Sequence, residues 1–183
     1  MDADRRRLLA GCGAALAALA GCSASEPEPT ATPADPATPT PTPDSTRPPA
    51  HEGYEEATVR AVGAADGGTL GSVTAAIADT DELRYLGLSD TESLPEDRGM
   101  LFVYSAVADR RFVMRRMDFG IDIVYADADG TITAIHHATA PAPDEDGNAQ
   151  QYPGRGQYVL EVPYEWTLRH GVEPGDRLAF ELP

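Results

Sequence analysis

Four of the chain's 14 basic residues, Arg110, Arg111, Arg115 and Arg116, stand within seven positions, and every basic residue is an arginine. A guanidinium offers a planar fork that can grip a carboxylate, phosphate or sulfated sugar through two parallel hydrogen bonds. The same fork pairs equally well with acidic side chains, of which this sequence has 30. Asp122 and Glu161 interrupt two apolar runs, Ile121 to Tyr125 and Tyr158 to Val162. A carboxylate buried among such neighbours needs a partner, and Arg115 is the expected one. Arg110, Arg111, Arg115, Asp122 and Glu161 therefore form a candidate ligand or ion-pair site. An internal ion pair through Arg115 is favoured over a catalytic pair of carboxylates, with Arg110 and Arg111 facing solvent or a ligand.

Other chemistries find little support. His136 and His137 are adjacent, and neighbours on a strand point to opposite faces, so they cannot easily share one metal ion. Asp127-Ala128-Asp129-Gly130 and Asp144-Glu145-Asp146-Gly147-Asn148 resemble the start of a calcium loop. Such a loop needs Gly at its sixth position and Glu at its twelfth. The first offers Ile132 and Ala138, the second Ala149 and Arg155. There is no Gly-x-Ser-x-Gly element, no phosphate-cradling loop and no placeable nucleophile–base pair. Both cysteines, Cys12 and Cys22, precede the periodic part of the chain, which excludes thiol chemistry and disulfides there. No metal, no cofactor and no catalytic residue is expected.

The secondary structure that carries these residues begins near Ala57. Thr58 to Gly63 and Ser72 to Ala78 read as strands around an Asp66-Gly67-Gly68 turn. Asp79, with Glu82 three residues on, reads as the cap of a short helix that Gly87 stops, with Leu83, Leu86 and Tyr85 as its core face. Met100 to Tyr104 and Phe112 to Met114 suggest two further strands. Ile121 to Tyr125 and Thr131 to His136 flank a hairpin turn at Asp127 to Gly130, where Gly tolerates a positive φ. Residues 139 to 156 are rich in Pro, Gly and Asp and read as a loop. Tyr158 to Val162 is a strand, Tyr164 to His170 a helix closed by Gly171, and Arg177 to Leu182 the last strand. The expected fold is mainly β (α+β): a compact antiparallel barrel or sandwich-like domain with two short helices.

The formal net charge is -16, with no lysine at all. Acidic side chains hydrate well and lysine stems poorly, so this balance suits a halophilic prokaryote, where salt screens self-repulsion. It argues against nucleic acid, because the protein would approach phosphates with like charge. Residues 1–22 read as a signal peptide. Arg5, Arg6 and Arg7 precede an apolar run, Leu8 to Ala20, too short to span a hydrocarbon core of roughly 30 Å. Arg5 and Arg6 before Leu8-Leu9 resemble a twin-arginine signal, which exports folded proteins. Leu19-Ala20-Gly21-Cys22 resembles a lipobox, in which cleavage precedes Cys22 and its thiol is lipidated. Cleavage there leaves 28 of the 30 acidic and 11 of the 14 basic residues, a formal charge near -17. Residues 23–56 carry almost no large apolar side chain, and Ala37-Thr38-Pro39-Thr40-Pro41-Thr42-Pro43 favours polyproline geometry. They read as a disordered, stiff stalk that reaches up to roughly 90 Å at about 3.1 Å per residue. Residues 57–183 remain as the globular domain.

The globular part resembles the domain of unknown function 192 family over roughly Val73 to Phe180. Gly87-Leu88, then Leu94-Pro95 with Gly99-Met100-Leu101-Phe102-Val103, carry the resemblance. Phe112 with Met114 and Arg115, Ile121-Asp122, Asp127 to Gly130, Tyr152-Pro153, Tyr158 to Val162 and Gly175-Asp176 follow in the family's order. The resemblance implies an often exported β-rich domain with few helices and no established activity. The family's Trp is Val113 here, its Asn-Thr is Arg116-Met117, and its Pro before Leu-Asp is Gly120.

These observations lead to a membrane-anchored lipoprotein on the outer face of the cytoplasmic membrane, tethered to lipid through Cys22. The domain is expected to be a non-catalytic binding or accessory module for a small ligand, glycan or envelope protein. A surface hydrolase or lyase would instead gather Asp122, Glu161 and the arginines in one cleft, and a purely structural envelope protein would have no pocket.

Overall fold

The computed structural model describes residues 53–89 and 91–183, so the signal segment, Arg5, Arg6, Cys22 and the stalk as far as residue 52 lie outside the described residues. The elements follow in the order β1 (Glu56–Val62), β2 (Thr69–Ala78), α1 (Asp81–Leu86), β3 (Arg98–Val113), β4 (Ile121–Ala126), β5 (Ile132–Ala138), β6 (Gln151–Pro163), α2 (Trp166–His170) and β7 (Arg177–Ala179). The strands form one sheet in the order β5-β4-β6-β3-β2-β1-β7. Neighbours are antiparallel except β2 and β3, which run parallel from Thr74 beside Arg98 to Ala78 beside Phe102. Parallel neighbours need a crossover, and α1 with the loop after it supplies one. The sheet curls until its ends approach: Thr131 bridges Arg177, and the Leu178 N–H donates to the Gly130 carbonyl at 2.8 Å. The fold is thus mainly β with two short helices, as the strand pattern predicts.

Alternation explains the two sides of the sheet. On the concave side Val59, Val73, Leu101, Leu160, Trp166 and Leu178 pack together. Each such buried side chain contributes roughly 1.5–3 kcal/mol through apolar burial. On the convex side a second cluster joins Met100, Phe102, Met114, Ile123, Tyr125 and Val159. β4 lies under both clusters, and all its residues are buried.

The cover of the convex side comes from β3 and β6. Their pairing shifts register between Val103 and Ala108. Beyond that point the two strands continue as an arm that folds back, bringing Phe112 edge-on to Phe102 at 4.8 Å and to Tyr125 at 5.8 Å. Two sequence expectations change here. Met100–Tyr104 and Phe112 lie on one continuous strand, and the expected loop at 139 to 156 ends early because β6 begins at Gln151. The glycines that make this stretch look like a loop are needed where the arm crosses β4. A Cβ on Gly154 would sit 2.5 Å from the Tyr125 ring, and one on Gly156 2.6 Å from the Ala126 carbonyl oxygen.

α1 starts one residue later than its sequence cap suggests. Thr80, not Asp79, caps it, its Oγ1 accepting from the Leu83 N–H at 3.2 Å. Gly87 ends it at φ 52°, a conformation that side-chain-bearing residues rarely adopt. Leu83 packs on the convex cluster, whereas Tyr85 is 72% exposed and outside the core.

Candidate functional site

Strand alternation sends Leu160 and Val162 to the concave side and therefore turns Glu161 to the convex one. There it stands between Met100 on β3 and Ile123 on β4. Only 5% of Glu161 is exposed, and no hydrogen bond or ion pair from another described residue reaches its carboxyl group. Burial alone pushes its pKa up to about 8, so at neutral pH most of it is the uncharged acid. The side chain lines a cavity of about 160 Å³ under the end of α1, walled by Leu88, Phe102, Tyr104, Phe112 and Met117. Arg84, Arg111 and Arg115 also border it.

The arginines of the sequence cluster separate. Arg115 is half-buried, with its guanidinium 3.9 Å from the Tyr85 ring centroid. Its Nη2 donates to the Tyr85 carbonyl and, at 3.4 Å, to Ser89 Oγ. It makes no ion pair with Asp122 or Glu161, which corrects the expected pairing, and its buried Nε–H has no acceptor. Arg110 lies 3.3 Å from the Tyr104 ring centroid and donates to the Gly156 and Ala106 carbonyls at 3.0 and 2.7 Å. It therefore fastens the arm to its own base. Desolvation lowers its pKa somewhat, and desolvation likewise raises that of the Tyr104 phenol. Arg111 is exposed at the cavity, as is Arg116 beyond the arm.

Asp122 belongs elsewhere. It pairs with Val162, one residue along from Glu161, and so faces the opposite side of the sheet. Fully buried, it accepts from the Thr167 N–H at 2.8 Å, the Thr167 hydroxyl at 2.6 Å and the Glu165 N–H at 2.9 Å. His137 Nδ1 lies 2.8 Å from it. Asp122 is the peg on which α2 hangs. The other histidine, His136, faces the arm, its Nε2 2.8 Å from the Pro153 carbonyl. The two histidines thus have separate partners on opposite faces. Among the described residues no three His, Cys, Asp or Glu side chains stand close enough to hold a metal.

The expected five-residue site therefore resolves into a pocket with Glu161, Arg111 and Arg115, an arm clasp at Arg110 and a helix peg at Asp122. Phe102, Tyr104 and Phe112 were not recognisable as pocket walls, because their apolar pattern is equally that of a core. Their signal is the shared strand parity of Glu161 and Val159, which places the carboxyl group on the aromatic face.

Residues 62–180 match the family DUF192, described as an uncharacterized ACR, and every residue of the pocket falls inside that span. The chain belongs to the DUF192 family. Its domain is similar in structure to a Sinorhizobium meliloti protein provisionally described as a transcription regulator. That likeness has 28% identity and a TM-score of 0.62, covering 69% of this chain and 95% of the other. A protein of unknown function from Novosphingobium aromaticivorans shares the fold at 23% identity and a TM-score of 0.62, over 78% of this chain and 99% of the other. No curated protein matches the chain.

Proposed function

We propose that this DUF192 protein is a lipid-anchored, extracytoplasmic binding module that receives a small ligand in the Glu161 pocket. The observation that carries the binding role is a buried carboxyl group, without a partner among the described residues, in a cavity of about 160 Å³. A structural carboxyl as deep as Asp122 has its donors; Glu161 has none among the described residues. The alternative hydrolase or lyase needs Asp122 and Glu161 in one cleft, and they lie on opposite faces of the sheet. The regulator description of the Sinorhizobium protein does not carry over, since a net charge of -16 opposes approach to phosphates.

Filling the cavity tests the binding role. Fragments of a small-molecule library should shift the ring resonances of Phe102, Tyr104 and Phe112, and Val113→Trp, at the cavity wall, should abolish those shifts. Shifts that survive this substitution place binding elsewhere and defeat the proposal.

The tether rests on Leu19-Ala20-Gly21-Cys22 after a charged and apolar leader. Cys22→Ser should release the protein from membranes or leave it unprocessed, as read by fractionation and gel mobility. Unchanged retention and mobility would remove the lipid anchor from the proposal. The saline habitat rests on the acidic, lysine-free composition, and the thermal midpoint should climb as salt rises from dilute to molar. A midpoint indifferent to salt would assign the acidity to compositional bias.

A further inference from the structure

Glu161 presents the cavity with a hydrogen-bonding demand that the described residues leave unanswered. The residue is buried, and none of them donates to its carboxyl group or accepts from it. Whereas Arg115 Nε is enclosed by protein, the Glu161 oxygens keep accessible surface, and the cavity that the side chain lines is where they open. Burial is the only cause of the raised pKa, so no guanidinium at the cavity's border stands close enough to hold the group ionised. Two of those arginines are engaged elsewhere: Arg84 with Asp81 at 2.6 Å and the Val103 carbonyl at 2.8 Å, Arg115 with Tyr85 and Ser89. At neutral pH the carboxyl group therefore offers one O–H donor beside one carbonyl acceptor, in one plane. The walls around it are apolar, formed by Leu88, Phe102, Phe112 and Met117.

We propose that the pocket takes a small uncharged carboxamide, its N–H donating to the Glu161 carbonyl oxygen and its own oxygen accepting from the Glu161 O–H. The two hydrogen bonds close a planar ring, and a short apolar body lies against Phe102, Phe112 and Leu88. This rests on the pocket being the binding site, and it names the ligand class. An amine would have to ionise Glu161 and set two charges among apolar walls, where desolvation offsets much of their attraction. It would also pass three guanidinium groups of its own sign, Arg84, Arg111 and Arg115. A carboxylate would accept from the Glu161 O–H but place its negative charge against the other carboxyl oxygen, which no described cation contacts. A hydroxyl group, working from a single atom, cannot align with both oxygens at once. A carboxamide supplies donor and acceptor side by side and brings no charge. The volume agrees, since cavities of roughly 150 Å³ admit a molecule of benzene's size, and this one measures about 160 Å³.

Three compounds sharing one carbon skeleton separate the possibilities: 3-methylbutanamide, 3-methylbutanoate and 3-methylbutylamine. Calorimetry on the full chain at pH 7, with the Phe102 and Phe112 ring resonances followed in parallel, should show the amide binding about tenfold or more tightly than either charged analogue, because a charge must be stripped of water on entry. The amide needs the Glu161 proton, so its affinity should fall about tenfold from pH 7 to pH 9 as the carboxyl group ionises through its pKa of about 8. The Tyr104 phenol on β3 and the Tyr125 phenol on β4, both raised chiefly by burial, keep their protons over this range. The guanidinium groups of Arg84, Arg110, Arg111 and Arg115 are charged throughout it. His136 on β5, beyond Ile123 on the same face, is engaged at the Pro153 carbonyl. Glu161→Gln keeps a donor and an acceptor in one plane, so it should bind the amide within about threefold of the wild type at pH 7 and lose the fall towards pH 9. Thermal melts at each pH establish that both proteins are folded, and the comparison of the three compounds on the unaltered protein needs no variant. If the amine or the carboxylate binds as tightly as the amide and moves those rings, or if the amide's affinity is level from pH 7 to pH 9, the carboxamide is wrong and the pocket stands as the binding site. If none of the three moves the rings but library fragments do, the carboxamide again fails alone. If neither the compounds nor the fragments move them, both the ligand class and the binding site are overturned.

Discussion

At pH 9 the Glu161→Gln protein should melt well above the wild type, and at pH 4 that advantage should be gone. Glu161 is 5% exposed, and burial raises its pKa from 4.5 to about 8. Below pH 4.5 the carboxyl group is protonated in both the folded and the unfolded chain, so it adds no pH dependence. Between pH 4.5 and about 8 the folded protein keeps a proton that the unfolded chain has released. Stability therefore falls as pH rises through this window, and above pH 8 the full cost of a buried, unpaired charge is present. The gap between the two pKa values corresponds to a cost on the order of 2–5 kcal/mol. Glutamine has nearly the same shape and no charge, so it removes this term. Its amide N–H groups also lack partners, which costs about 1–3 kcal/mol at every pH. The informative quantity is thus the difference in stability between variant and wild type, which should grow in the variant's favour from pH 4.5 to pH 9. Other carboxylates titrate alike in both proteins and cancel. Denaturant melts across the range give the difference directly, and a flat curve would mean that Glu161 is solvated or paired.

The contrast between Glu161 and Asp122 shows how much of this molecule its sequence reveals. Both stand in apolar runs, and both read as buried acids in need of a partner. The strand periodicity locates them on β6 and β4 correctly. What one sequence lacks is the register, and register decides everything that follows. Asp122 pairs with Val162 and Glu161 with Ile123, so adjacent rungs of the same ladder send the two acids to opposite sides. The expected partner, Arg115, is on the correct side for Glu161, but the exposed ring of Tyr85 holds it by stacking. The arm was hidden for a different reason. Pro153, Gly154 and Gly156 carry the composition of a loop, yet the glycines are there because the Tyr125 ring and the Ala126 carbonyl leave no room for a Cβ. Local composition cannot distinguish a glycine that frees the backbone from one that admits a neighbour. The turn at Asp127 to Gly130 was legible because its chemistry is local: Asp127 Oδ1 accepts from the Asp129 and Thr131 N–H groups, both at 2.9 Å.

Removing the Asp122 side chain should cost about 3–5 kcal/mol, which for this domain is a large part of the stability expected of a marginally stable fold. Three donors converge on it, the Glu165 N–H, the Thr167 N–H and the Thr167 hydroxyl, with His137 on the fourth side. In Asp122→Ala the Thr167 groups are left in a fully buried position, and a stranded buried donor costs about 1–3 kcal/mol. α2 has only five residues, Glu165 at its start adopts φ 59°, and no side chain of its own caps it. A helix that short does not persist alone. Its place depends on Asp122 at one end and on Trp166 in the concave cluster. Losing the peg should therefore loosen the whole turn and let water reach the Trp166 indole. Two measurements check this together. Chemical denaturation reports the lost stability, and amide hydrogen exchange should quicken at Thr167, Arg169 and Val172 while the amides of β1 and β2 keep their protection relative to global unfolding. Thr167→Val, which removes only the hydroxyl donor, should cost about 1 kcal/mol. An Asp122→Ala protein within about 0.5 kcal/mol of the wild type, the range of ordinary surface substitutions, would show that α2 is held by Trp166 alone.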